Sequence, residues 1–66
     1  MAAQITFAGG EKIRVKAESG AWLAKRLSEN GTDGFQGNYL YVQHLKDGGW
    51  VWVNPTAVAY VEDWPE

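Results

Sequence analysis

Residues 50–53 read Trp-Val-Trp-Val directly after Asp47-Gly48-Gly49, and this alternation constrains the fold more than any other feature of the chain. Successive side chains of a strand leave on opposite faces, so Trp50 and Trp52 share one face and Val51 and Val53 the other. Both faces are apolar, one of them must be covered, and the sequence has little with which to cover both. A chain of 66 residues has little to spare, because a domain of that size buries only about 60% of the surface its unfolded form exposes. The usual staples are missing too. There is no cysteine, hence no disulfide and no thiolate ligand, and the single histidine, His44, does not make a zinc site alone. Stability has to come from aromatic burial or self-association, and four Trp, three Tyr and two Phe are available for either. One domain spanning 1–66 is expected, with no metal and no cofactor.

The dipeptide Asp47-Gly48 is a two-residue turn signal. A hairpin centred on it pairs Leu45 with Trp50, Gln43 with Trp52 and Val42 with Val53. One face then carries Tyr39, Tyr41, Gln43, Leu45, Trp50 and Trp52. The other carries Leu40, Val42, His44, Val51 and Val53. Asn54-Pro55 follows as a capped single turn with proline in its first position, and "AVAYVED" makes a last strand.

An earlier hairpin lies in "ITFAGGEKIRVK", two β-rich runs around Gly9-Gly10. A Gly-Gly loop would place Phe7 beside Lys12 and mix apolar with basic side chains. A three-residue Gly9-Gly10-Glu11 loop instead gathers Ile5, Phe7, Ile13 and Val15 on one face. Thr6, Lys12, Arg14 and Lys16 then share the opposite one. A slip of one residue flips every side chain, so the coherent pattern is the expected one.

Between the hairpins the spacing predicts a helix of about three turns. Ser19 is its N-cap and Asn30-Gly31 its stop. Leu23, Ala24 and Leu27 form the buried stripe, with Trp22 at its margin. The glycine-rich "GTDGFQGN" runs from helix to strand, the wrong order for a phosphate loop, and reads as a plain connector. The two hairpins share an outline, "GGEKIRV" beside "GGWVWV", which hints at duplication. The eleven residues "VNPTAVAYVED" resemble a segment of small bacterial proteins of the FlbD type, a likeness that carries no function across. The expected architecture is α+β: a small β-β-α-β-β-β domain, one curled antiparallel sheet or partial barrel with a helix packed on it.

Charge is uneven. Lys12, Arg14, Lys16, Lys25 and Arg26 outnumber Glu11, Glu18 and Glu29 in residues 1–30. Lys46 faces Asp33, Asp47, Glu62, Asp63 and Glu66 in the remainder. A net charge of −2 argues against bulk nucleic-acid binding. No run approaches the roughly 20 apolar residues of a membrane span, and no secretion signal opens the chain, so a cytoplasmic location and no membrane partner are expected. His44 lacks the activated partners of a catalytic triad and reads as structural. Glu62, Asp63 and Glu66 read as a solvated terminal run, with Glu62 and Asp63 on opposite faces of a strand.

What remains is surface. Once the helix covers the aliphatic faces, the rings Tyr39, Tyr41, Trp50 and Trp52 are surplus, and either barrel closure or another molecule has to cover them. The sequence points to a small non-enzymatic interaction protein, an adaptor, regulator or inhibitor. Its partners would be itself, as a homo-oligomer, and a larger protein. The alternative is a nucleotide or single-stranded nucleic-acid binder that uses Lys12, Arg14 and Lys16 as an anion-binding row.

Overall fold

Strands Ala2–Phe7 (β1) and Lys12–Lys16 (β2) form the first hairpin in a computed structural model that describes residues 1–65. Ile5 pairs with Ile13, Ala3 with Val15, Gln4 with Arg14 and Thr6 with Lys12. The loop has three residues as expected, but they are Ala8-Gly9-Gly10. The Phe7 N–H donates to the Glu11 carbonyl at 2.8 Å, and the Gly10 N–H to that of Phe7 at 2.9 Å. The register therefore differs by two positions from the expected one. The reason lies in Gly10, whose φ is +92°. A three-residue hairpin loop needs a left-handed residue at its third position, and the expected loop would have put Glu11 there. A shift of two preserves the faces, so Ile5, Phe7, Ile13 and Val15 still point one way.

The second hairpin repeats the lesson. Tyr39–Gln43 (β4) and Trp50–Val53 (β5) pair Tyr41 with Trp52 and Gln43 with Trp50, again two positions from the expectation. The loop is Leu45–Gly48, closed by the His44 N–H to the Gly49 carbonyl at 2.6 Å. Leu45 leaves the ring face because its N–H is engaged elsewhere, at 2.8 Å from the Arg14 carbonyl on β2. Tertiary pairing has overridden a good two-residue turn signal.

The connector also holds more order than expected. Phe35–Gln36 (β3) pairs with Tyr39 and Leu40 through a turn that begins at Gly37, φ +60°. Glycine is what the first turn position requires there. Arg26 pins the approach to this turn, donating to Glu29 at 3.2 Å, to Thr32 Oγ1 at 2.9 Å and to the Asp33 carbonyl.

Asn54 caps the 3-10 turn Pro55–Ala57 as expected, its side chain accepting from the Thr56 N–H at 3.1 Å. The last strand, Val58–Trp64 (β6), pairs antiparallel with β1, with Ala59 bulged out between the partners of Thr6 and Phe7. The single layer expected from the sequence is thus two three-stranded antiparallel sheets, β2-β1-β6 and β3-β4-β5, not closed into a barrel. The Val15–His44 bridge and the Leu45–Arg14 bond tie them together.

The helix Gly20–Ser28 (α1) starts at Ser19, whose Oγ accepts from the Trp22 N–H at 2.9 Å. Leu23 and Leu27 enter the core, while Ala24, expected in the same stripe, is exposed. Beside them lie Ala3, Ile5 and Val15 from the first sheet, and Leu40, Val42 and Val53 from the second. The start of α1 lies against β6. The Gly20 N–H donates to Asp63 Oδ1 at 2.6 Å, a carboxylate on the positive end of the helix dipole. A Cβ on Gly20 would stand 2.9 Å from the Asp63 nitrogen, so only glycine permits this approach. No helix among the described residues is long and apolar enough to cross a membrane.

Candidate functional site

The β4–β5 register places Tyr41 between two tryptophans. Its ring stacks on Trp50 at 4.7 Å between centroids and 11° between planes, and leans on Trp52 at 4.6 Å and 48°. Packing on each other does not bury them: Tyr41 is 38% exposed, Trp50 52% and Trp52 51%. The barrel closure that would have covered them does not occur. Tyr39 is exposed on the same strand. The Trp52 indole N–H donates to Gln36 Oε1 at 2.8 Å, which fixes the outer ring against β3. Together the four rings expose on the order of 400 Å², at the upper range of patches a soluble monomer leaves in water.

Trp22, on α1, extends this surface. It shares with Tyr41, Trp50, Lys16 and Arg26 a hollow of about 390 Å³. The sequence placed Trp22 at the margin of the buried stripe without linking it to the ring face. That link exists only in the tertiary fold, which sets Trp22 and the β4–β5 rings around one hollow. Gln36 was missed for a similar reason, since its strand read as a loop.

The basic row keeps one face of β2, where Lys12, Arg14 and Lys16 alternate through an unbroken register with β1, but its members line different hollows. Lys12 and Arg14 line a cleft of about 450 Å³ between the sheets, joined there by Lys46, His44, Gln4 and Trp64. Lys16 lines the ring hollow instead. Arg14 is held twice. Its Nε donates to Gln4 Oε1 at 3.2 Å, and Gln4 Nε2 donates in turn to Glu62 Oε1 at 3.1 Å. Its guanidinium also lies 3.7 Å from the centroid of the Trp64 ring, cation–π geometry. Trp64 and Glu62 reach this face because β6 alternates with period two. The pattern was readable in "AYVEDW", but the neighbour of β6 was not.

His44, expected on the aliphatic face, is half-buried at the cleft. Its Nδ1 lies 3.3 Å from the Lys46 N–H and 3.8 Å from Asp47 Oδ1. The two contacts exclude each other, because the first needs a bare nitrogen and the second a protonated one. The carboxylates also have structural work: Glu62 orients Gln4, and Asp63 caps α1. Glu66 lies outside the described residues. These residues hold no group of three or more His, Asp or Glu side chains set to bind a metal ion.

Compared with known proteins, the chain matches no family model, no curated protein and no solved structure. Its own surface chemistry carries the functional conclusion.

Proposed function

We infer that this chain is a small non-enzymatic interaction protein, acting in the cytoplasm as an adaptor, regulator or inhibitor through the Trp50–Tyr41–Trp52 face. The ring stack carries this reading: three aromatic side chains packed on each other and still half in water. Its first occupant is a second copy of the chain. A twofold contact brings the same patch of each protomer together, so a charged residue near the axis would meet its own kind. Tyr39, Tyr41, Gln43, Trp50 and Trp52 carry no charge, and amides and phenols serve as both donor and acceptor. With Trp22 added, the patch supplies somewhat more than half of the roughly 800 Å² per partner of a standard interface. A dimer of micromolar strength fits that area, and a larger protein would compete for the same face.

The test is sedimentation velocity across micromolar concentrations. The wild type is expected to sediment as a dimer, and Trp52→Ala and Tyr41→Ala to shift it towards monomer. A wild type that stays monomeric at several hundred micromolar, its tryptophans open to a soluble quencher, would overturn self-association. A second reading, an anionic ligand on the basic row, is favoured by one observation, the meeting of Lys12 and Arg14 with Lys46 in the inter-sheet cleft.

A further inference from the structure

We propose that the inter-sheet cleft is a binding site for a phosphate-bearing small molecule of nucleotide size, with Lys12, Arg14 and Lys46 as its anion-binding groups. The site shares no residue with the ring face and stands independently of self-association.

Charge is the first argument. The chain has six Lys and Arg and a net charge of −2, yet three of those cations line this one cleft, while the nearest carboxylates, Glu62 on Gln4 and Asp47 by His44, stand behind the lining residues and outside it. The three cations come from separate segments, β2 and the Leu45–Gly48 loop, and only the junction of the two sheets brings them together. Among the described residues none of the three forms an ion pair. Three positive side chains on one lining favour an anion placed among them.

Preorganisation is the second. A surface arginine ordinarily loses rotamer freedom when it takes a ligand. Arg14 has already lost it, held through Nε by Gln4 and through its flat face by Trp64. Gln4 is only 7% exposed and is itself fixed by Glu62. These contacts use Nε and one face, leaving the two terminal nitrogens as the fork that matches two phosphate oxygens. Size is the third. About 450 Å³ lies within the range of small-molecule sites. It accommodates a mononucleotide or a sugar phosphate, with Leu45 and Ile13 as apolar wall.

The experiment is an NMR titration of the full chain with pyrophosphate, ADP and adenosine, followed through the amides of residues 44–46 and the Trp64 indole. Pyrophosphate and ADP are expected to bind with shifts confined to the cleft, and added salt to weaken them by screening. Adenosine should shift nothing. Arg14→Lys keeps the charge but loses the fork, and should weaken ADP about tenfold, as should Lys46→Gln. Lys16→Gln, outside the cleft, should bind as wild type. Absence of shifts at millimolar ADP and pyrophosphate would overturn the proposal, as would adenosine binding as tightly as ADP. A single-stranded oligonucleotide that binds more tightly than ADP and is lost in Lys16→Gln would also overturn it, in favour of nucleic acid on the ring face.

Discussion

The two sheets of this molecule begin from similar hairpins and finish their outer faces differently. In β2-β1-β6 the central strand is buried on both sides. Gln4 and Thr6 point away from the core and are still covered, because β2 and β6 lay long side chains across them. Each register row spans the sheet: Arg14–Gln4–Glu62, Lys12–Thr6–Tyr60. The side chains of the first row bond to one another, and those of the second shield Thr6 without bonding its hydroxyl. In β3-β4-β5 the outer rows are rings beside rings, and β3, only two residues long, cannot supply a third column to cover them. A sheet closes its outer face when both flanking strands are long enough to reach over the central one. Where one is too short, the face stays open to water.

The sharpest way to break this contrast is through what the sheets share. Leu23 is fully buried between them, and Leu23→Ala is expected to cost about 2–5 kcal/mol, a large share of the stability of such a domain. Leu27→Ala belongs to the same range, at its lower end because Leu27 is slightly less buried. Chemical denaturation measures both. Losses under about 0.5 kcal/mol would show that α1 is an appendage and that the sheets stand without it.

Gly20→Ala probes the first sheet's contact with the helix. The added methyl meets β6 backbone at 2.9 Å, and overpacking of this kind costs about 1–3 kcal/mol. If the variant is as stable as wild type, the helix start is free to move away from β6, and Asp63 is not its anchor.

Trp52→Ala acts on the other side of the comparison. If the second sheet's open face joins two copies as proposed, the substitution is expected to weaken the dimer by about 2 kcal/mol, or roughly 30-fold in Kd. The folded monomer should lose less, since half of the ring lies in water already. Sedimentation and denaturation measured on one preparation separate the two effects. Equal losses in both would mean that the ring supports the fold, and the distinction between a finished and an open face would fail.

The smallest expected effect has the opposite sign. Thr6 Oγ1 is buried in the first sheet with no hydrogen-bond partner among the described residues, and a valine there keeps the β-branched shape without the stranded hydroxyl. Thr6→Val should leave stability unchanged or raise it by up to about 1 kcal/mol. A clear loss in thermal unfolding would reveal a partner for the hydroxyl, and a polar row complete across all three strands.

Local chemistry determined a good deal by itself. Ser19 and Asn54 had to cap, because each offers a side-chain oxygen to a free N–H at the start of a turn. The faces of both hairpins followed from period-two alternation, and alternation survives a register error of two. The ring face was therefore legible as Tyr39, Tyr41, Trp50 and Trp52. Register and neighbours were another matter. The left-handed residue at Gly10 set one register, and a bond from Leu45 to the opposite sheet set the other. No local pattern announces that β6 lies beside β1, bringing Trp64 under Arg14 and Asp63 to the helix. Nor does any pattern announce that Lys46 stands with Lys12 and Arg14 while Lys16 joins the rings. Alternation and capping are properties of a few consecutive residues. A cleft between sheets is made of residues that the chain keeps far apart until the core has formed.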